Sequence, residues 1–303
     1  MATMTETLDA VTDTTREHVY HAATNVLTGH LQRPINQKIE PQATLTLNDR
    51  RGGHLTRSID HFSLEGLITF NKGETRVSGA RSVKTNGWVT VSTSIVEELN
   101  AVEVISVGRL VSQVSTEHAH ENGHIPSVTF LGTQFRNFEV SGFPVTLNLD
   151  LGFCGGIPAN SRSYLRDPDF LGKVRVQTAA IAGADGLPKA LKDQYDEKLA
   201  QVDELIRTCD GTDNDPRSPI TCSLVQSIGE IPIPGVKSFG NVLVIPEFGS
   251  VALAEIEVGE NTYKDNSRPC VYFTLRGLRM KMGCIAHGEN DAGTSTANGN
   301  TVP

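Results

Sequence analysis

The sequence feature that most constrains the fold is one long alternating stretch, which runs from Ala101 to His124. Counting in steps of two places the apolar residues and two histidines on one face of an extended strand: Val102, Val104, Leu110, Val114, His118 and His120. The other face then carries polar side chains: Glu103, Arg109, Gln113 and Glu117. The stretch therefore predicts a half-buried strand whose core-facing side continues into two imidazoles.

Similar strand-like runs, separated by glycine turns, fill the chain from Leu31 to about Gly155 and return at residues 220–228, 231–260 and 270–286. The most regular run is Pro144–Phe153, in which the apolar side chains share one face: Val145, Leu147, Leu149, Leu151 and Phe153. In the last run the apolar parity changes across Gly277, which indicates a bulge. Strands that follow one another without intervening helices predict a mainly β protein, with antiparallel sheets arranged as a β-sandwich or in a barrel-like manner.

Two segments have helical spacing. Thr5–Thr28 is predicted as an N-terminal amphipathic helix that ends at Gly29, and Leu187–Thr208 has the strongest apolar stripe of the chain. The second helix lies in an irregular region, residues 155–219, in which Lys173–Ile181 is interpreted as one more strand. The predicted organisation is an N-terminal helical segment (1–30), a single β domain (31–287) with the 155–219 region as an insertion over the sheets, and a disordered tail (288–303).

Composition excludes several classes of function. The net charge of −8 argues against nucleic-acid binding, because phosphate contacts need a surplus of lysine and arginine. The sequence contains no apolar run of about 18 residues, so no transmembrane helix is predicted. The polar, acidic first residues do not resemble a secretory signal, and a cytoplasmic location is expected unless the sequence has been trimmed.

Three stretches follow the order of phrases in a known group of proteins: WVTVSTSIVEELNAVEVISVGRLVSQVSTEH, FRNFEVSGFPVTL and IPEFGSVALAEIEV, with a last strand ending IAHG. In these stretches, across Trp88–Leu151 and Ile220–His287, the chain resembles the bacterial choice-of-anchor group of β-rich surface and secreted proteins. The resemblance implies an all-β, sandwich-like fold and carries over no activity. The chain differs from that group by the 155–219 region and by the lack of a visible export signal or anchor.

The histidines are the candidate site. His118 and His120 project from one face about 7 Å apart, which allows them to share a metal ion. A turn at Gly123 can return His124 as a third ligand, and His287 on the last strand is a possible fourth. The hypotheses are a divalent transition-metal site such as zinc, a histidine acid–base pair in a ligand-binding pocket, or polar side chains at the end of a strand.

Other polar groups have weaker patterns. The five cysteines are Cys154, Cys209, Cys222, Cys270 and Cys284, and they are interpreted as free thiols, with a Cys209–Cys222 bridge as the alternative. Cys154 precedes two glycines, so it is either a nucleophile near backbone N–H groups or a buried thiol. The acidic segment from Asp210 to Asp215 is either a calcium-binding loop or a plain loop after a helix.

Two functional hypotheses follow. The first is a non-catalytic β protein that binds a small molecule or a protein partner, with homo-oligomerisation possible. The alternative is an enzyme with a histidine-based pocket, with or without metal, at the sheet end under the 155–219 insertion. A β fold hosts both functions, so fold alone does not decide between them. A third hypothesis, an assembly or pore-forming β protein, lacks an amphipathic membrane hairpin in the sequence.

Overall fold

The computed structural model describes residues 17–120, 125–158, 163–209, 215–261, 270–283 and 286–302. The first half contains β1 (Glu17–Arg33), β2 (Gln37–Ile39), β3 (Leu45–Asp49), β4 (Gly53–Leu64), β5 (Ile68–Arg81), β6 (Trp88–Ala101), β7 (Ile105–His118), β8 (Ser127–Thr129), β9 (Gln134–Val140), β10 (Phe143–Pro144) and β11 (Leu147–Leu149). After these come α1 (Pro168–Ala182), α2 (Lys189–Arg207), β12 (Ile220–Ser223), β13 (Val225–Ile228), β14 (Lys237–Phe239), β15 (Val242–Ile245), β16 (Gly249–Asn261), β17 (Cys270–Met282) and β18 (His287–Val302).

Within the described residues the strands form two large antiparallel sheets and one short pair. Sheet A has the order β14-β15-β16-β17-β18-β1-β2, with β12 paired to β16 and β3 paired to β1. Sheet B has the order β10-β9-β7-β6-β5-β4, with β8 paired to β7, and β11 pairs with β13. The prediction of a mainly β, antiparallel protein is confirmed. In the predicted strand Pro144–Phe153 only two short segments are paired, although Val145 and Phe153 are buried as the alternation required.

The largest corrections concern the two ends of the described chain. The predicted N-terminal helix is wrong from residue 17 onward, because Glu17–Arg33 is strand β1. The predicted disordered tail is also wrong, because His287–Val302 is strand β18. These two strands pair with each other from Glu17 opposite Val302 to Arg33 opposite His287, and they occupy the middle of sheet A. The β domain therefore includes both segments that the sequence pattern had set apart from it.

Where β1 and β18 face β6 and β7, the two sheets contact each other through small side chains. The Ser92 and Ser94 hydroxyls of β6 donate to the carbonyl oxygens of Ala23 and Asn25 on β1, at 3.0 and 2.9 Å. From the other sheet, the Ser295 hydroxyl donates to the carbonyl oxygen of Ser112, at 2.9 Å. Side chains this short span the gap only where the backbones lie close, and Cα atoms of β1 and β6 approach within 8 Å. Stacked sheets are usually about 10 Å apart.

The strand pairing in sheet A is interrupted between β17 and β18. The β17–β18 ladder passes from Arg276 opposite Thr294 to Leu278 opposite Ala292, and it skips Gly277 and Gly293. Buried positions on β17 change parity here, from Phe273 and Leu275 to Leu278, Met280 and Met282. The parity change predicted at Gly277 is therefore confirmed. As a result, Arg276 and Arg279 project from the same face of sheet A, which matters for the charged cluster described below.

Of the described residues in the 155–219 region, those from Tyr164 to Val174 contribute to the main core, and the later part of α1 packs with α2 on sheet A. Helix α2 matches the predicted helix, and its N-terminal neighbour Pro188 occupies the N-cap position. The interpretation of Lys173–Ile181 as a strand is wrong, because this segment lies within α1, which Asp167 caps by accepting a hydrogen bond from the Phe170 amide. Side chains from the two helices, including Ile181 and Tyr195, pack on Phe239 and Val242 of sheet A. In the described part of the chain, neither helix has the length and apolar character needed to cross a bilayer.

The close packing of the sheets predicts an asymmetric response to added methyl groups. A Cβ atom at Gly79 would lie 2.5 Å from Cδ1 of Tyr20, whereas one at Gly172 in α1 would meet nothing within 4 Å. We expect Gly79→Ala to lower the free energy of unfolding by roughly 1–3 kcal/mol through overpacking. Gly172→Ala should raise it by about 0.5–1 kcal/mol, because alanine is the better helix former. Urea denaturation of both variants checks this, and equal effects would contradict the packing described.

Candidate functional site

The predicted histidine face belongs to a buried aromatic cluster. His118 ends β7 opposite Trp88 and is fully buried, as are Leu110 and Val114, so the predicted shared face of these three residues is confirmed. The rings of His18 and His118 lie 4.9 Å apart between centroids, and His18 stacks on Trp88 at 5.0 Å. His120 stacks on the same indole at 5.7 Å. The cluster therefore fills the space between β1, β6 and β7 with packed rings.

The His18 imidazole in this cluster is neutral. Burial is the largest cause that lowers the pKa of His18, to about 2, and the positive charges that His118, His21 and Arg81 can carry lower it further. The Arg81 guanidinium also lies over the Trp88 ring, 4.7 Å from its centroid. A neutral, enclosed imidazole packed on an indole serves the fold.

The structure does not bring the four proposed metal ligands together. His287 is exposed and pairs with Arg33, whereas Gly299, near the other end of β18, lies against His18 and His118. Strand β18 has 16 residues and extends on the order of 50 Å, so His287 is far from His118 and His120. His124 lies outside the described residues. Among the residues that are described, no three histidine, cysteine, aspartate or glutamate side chains are grouped as a metal site requires.

The remaining candidates from the sequence are the cysteines and the acidic segment from Asp210 to Asp215. Cys154, Cys209, Cys222 and Cys270 are buried. Cys222 is a free thiol, so the alternative of a Cys209–Cys222 bridge is wrong. Burial raises the pKa of Cys154 to about 12, which disfavours the thiolate that a nucleophile needs. Cys284 lies outside the described residues, as does the acidic segment except for Asp215, so the calcium hypothesis stays a prediction.

A charged cluster lies between α2 and sheet A. Glu255 on β16 is almost completely buried, and it contacts Lys198 of α2 at 3.5 Å and Arg279 of β17 at 2.7 Å. Arg279 also reaches Asp291 on β18, at 3.1 Å. Burial is the largest cause that lowers the pKa of Lys198, although Glu255 opposes this shift.

A cleft of about 320 Å³ opens beside the cluster. The sequence analysis predicted a histidine-based pocket at the sheet end under the 155–219 insertion. The described residues that line this cleft include no histidine.

A second, more open depression lies on the outer face of sheet A, with a volume of about 650 Å³ that includes the open space above it. We use the name outer groove for the surface lined by His21, Ala22, Ala23, Thr46, Leu47, Asn48, Asn261, Tyr272, Thr274, Thr296 and Asn298. None of these side chains is a carboxylate, an ammonium or a guanidinium. Burial lowers the pKa of His21, which makes its imidazole neutral at pH 7. The groove therefore presents uncharged hydrogen-bonding groups.

Strand register arranges these groups in two rows across four strands. In one row Thr274 lies opposite Thr296, Thr296 opposite Ala23, and Ala23 opposite Thr46. In the other row Asn298 lies opposite His21, and His21 opposite Asn48. The Thr274 and Thr296 hydroxyls hydrogen-bond each other at 2.8 Å. With strands spaced about 4.8 Å apart, the first row, on four strands, runs roughly 15 Å perpendicular to the strands, and the second, on three strands, runs roughly 10 Å.

Tyr272 forms a fixed aromatic surface in the groove. Its ring lies over Gly259 of the neighbouring strand, where a Cβ atom would come within 2.4 Å of Cζ. The phenol donates to Oε1 of Glu257 at 3.1 Å, and Arg276 holds the other carboxylate oxygen at 2.8 Å. Burial first, and then Glu257, raise the pKa of Tyr272 to about 12, so the phenol remains a donor. The ring is thus held flat against the sheet.

Sequence reasoning missed the outer groove because its residues come from three distant segments. The available signal was the alternation of His18, Tyr20, Ala22, Thr24 and Val26, all of which are buried in β1. That alternation predicts that His21 and Ala23 face outward. The sequence analysis did not detect this alternation, because the buried residues of β1 are partly polar and partly apolar. Hydrophobicity alone therefore shows no period of two in this strand.

The neutral state of His18 predicts acid sensitivity. Folded His18 stays neutral because its pKa is about 2, whereas an unfolded histidine binds a proton below about pH 6.5. Stability from this group is therefore complete above pH 6.5 and is lost as the pH falls, by up to about 1.4 kcal/mol per pH unit. We expect His18→Phe to flatten this dependence between pH 7 and 5, as measured by urea denaturation. His54→Gln, at an exposed histidine, should leave it unchanged, and equal slopes in all three proteins would contradict the assignment.

The charged cluster predicts a large cost for removing one carboxylate. Glu255→Gln leaves Lys198 and Arg279 buried with one partner fewer, and breaking a buried ion pair in this way costs roughly 3–5 kcal/mol. Glu204→Gln breaks the exposed pair with Arg207 and should change stability little. Chemical denaturation compares the two variants. A small loss for Glu255→Gln would show that the cations find water or other partners.

Comparisons with known proteins give one positive result. A sequence model of the family described as "Domain of unknown function (DUF8256)" matches residues 18–259, from the second residue of β1 into β16. The match ends at Gly259, before the two strands that supply Tyr272, Thr274, Thr296 and Asn298 to the outer groove. No curated protein and no solved structure matches the chain. Since the family model covers most of the chain, this protein belongs to the DUF8256 family.

Proposed function

We propose that this protein is a non-catalytic β-sandwich that binds its ligand in the outer groove of sheet A. The observation that carries the proposal is the pair of uncharged rows described above, in which hydroxyl and amide groups of β17, β18 and β3 flank the His21 imidazole of β1. Ligand sites combine a concave shape with a few well-placed polar groups, and the outer groove has both. A small molecule or a segment of a partner protein fits this description.

Binding is favoured over the alternative of a histidine-based enzyme by the environment of the imidazoles. General acid–base catalysis needs a group that reaches the substrate and titrates near the working pH. His118 is fully buried beside His18 and does not line any of the described clefts. His21 does line the groove, but burial lowers its pKa. No metal is part of the proposal.

Several earlier expectations stay predictions beside this proposal. They are the resemblance to the choice-of-anchor group, the cytoplasmic location, the absence of nucleic-acid binding and the possibility of a homo-oligomer. The family match extends over most of the resemblance region but carries no statement on anchoring or activity.

Blocking the groove tests the proposal. Thr296→Arg places a long cation in the middle of one row, whereas Thr129→Arg makes the same change at an exposed position on β8. We would screen neutral oligosaccharides, nucleosides and uncharged peptides by thermal shift. At least one probe should raise the Tm of the wild type and of Thr129→Arg but not of Thr296→Arg, because ligand binding stabilises the folded state.

Mass spectrometry of the probe after incubation completes this test. A binding protein returns the probe unchanged. Stabilisation of Thr296→Arg equal to that of the wild type would place the site elsewhere, and a probe converted to product by the wild type would overturn the non-catalytic assignment.

A further inference from the structure

The ring of Tyr272 is held in a position in which a flat, weakly polar part of a ligand can stack on it. One side of its ring is occupied by the backbone at Gly259, and the phenol is fixed by Glu257, so the ring cannot turn away without losing that hydrogen bond. Tyrosine combines a large apolar face with a polar tip, and a held ring loses little conformational entropy on binding. The ring itself lines the outer groove.

The groups beside this ring have mixed hydrogen-bonding character. Threonine hydroxyls and asparagine amides each both donate and accept, and both kinds line the groove. Thr46, Thr296 and Asn48 lie in the two rows, Thr274 and Asn298 are the buried members of those rows, and Asn261 lies at the end of β16. A ligand with many hydroxyl groups, each also a donor and an acceptor, satisfies such rows. A charged ligand would lose hydration in the groove without gaining an opposite charge among the lining side chains.

The position of the groove separates the remaining ligand classes. It lies on the face of sheet A, across β17, β18, β1 and β3. In the described sheet β3 is an edge strand that pairs only with β1, and a peptide added to that edge would run along the strands beside the groove, not across its face. An extended peptide that binds by strand addition needs a free sheet edge and its unpaired backbone groups. A nucleic acid needs cationic side chains at its phosphates, and the described residues that line the groove include no lysine or arginine.

We infer that the ligand of the outer groove is a neutral saccharide chain, which lies across the strands with the C–H face of one sugar ring on Tyr272. The inference deepens the proposed binding function and rests on it. The rows extend roughly 15 Å and 10 Å, so the site accommodates more than one sugar unit. The hydroxyls of the sugars on either side of the stacked ring then meet the threonine and asparagine rows.

The test is calorimetric titration of the wild type with neutral hexasaccharides, namely cellohexaose, maltohexaose, xylohexaose and chitohexaose. The variants are Tyr272→Ala, Tyr272→Phe and Gly259→Ala. Tyr272→Phe keeps the ring, so it should bind as the wild type does, to within a few-fold. Tyr272→Ala should weaken binding about tenfold or more, because it removes the stacking surface.

Gly259→Ala provides the sharper variant, because it leaves Tyr272 and both polar rows unaltered in sequence. Its Cβ atom would come within 2.4 Å of ring atoms, so the ring must move off the sheet, and saccharide affinity should fall as in Tyr272→Ala. Far-ultraviolet circular dichroism and thermal melts establish that the variants are folded. Gly156→Ala, where a Cβ atom meets nothing within 4 Å, is the matched control.

The outcomes separate this inference from the proposed function. Saccharide binding that depends on Tyr272 and Gly259 supports both. Binding of an uncharged peptide or a nucleoside that Thr296→Arg abolishes, without binding of any hexasaccharide, overturns the saccharide inference and leaves the groove as the site. Saccharide binding that is unaffected by Tyr272→Ala and Gly259→Ala overturns the role of the ring. Absence of binding to every probe overturns both proposals.

Discussion

The close contact between the two sheets is the constraint on which the rest of the structure depends. Serine hydroxyls reach backbone carbonyl oxygens of the opposing sheet, and several glycines leave room for side chains from across the interface. At Gly73 the Val26 methyl groups occupy the space where a Cβ atom would be, and at Gly299 the His18 and His118 rings do so. This interface fixes β1 and β18 in the middle of sheet A, and with them the register that builds the outer groove.

The same interface explains which elements could be predicted from the sequence. The second half of strand β7 was predictable because its buried side alternates there, with Leu110 and Val114 leading to His118. In the first half the buried residues are Ile105 and Val107, and the parity changes across Gly108, which the sequence analysis did not foresee. Strand β18 was not predictable, because its buried side consists of Asn290, Ala292, Ser295 and Ala297. Small and polar residues of this kind are typical of disordered segments, so a prediction that equates burial with hydrophobicity assigns them to a disordered tail. Here they are buried because the opposing sheet leaves space only for small side chains and accepts their hydrogen bonds.

The candidate sites show a different limit. Sequence reasoning located imidazoles on a common face, which is a local property of one strand, and it located a helix over the sheet. The outer groove depends on pairing between β3, β1, β18 and β17, and the cluster around Glu255 depends on a parity change that turns Arg276 and Arg279 to the same side. Both are consequences of long-range register. Nothing in the local spacing of residues specifies which positions on distant strands become neighbours.

The pairing of β1 with β18 also has a consequence for the order of assembly. The Thr24 hydroxyl bonds to the carbonyl of Thr294 across a separation of 270 positions, so the centre of sheet A joins segments made at very different times during translation. Until β18 emerges from the ribosome, β1 has β2 and β3 on one flank and an open hydrogen-bonding edge on the other. Contacts of such separation slow folding, and open edges invite association with other chains. The nascent protein therefore keeps this edge open until β18 has been made, which a sheet built from neighbouring hairpins would not.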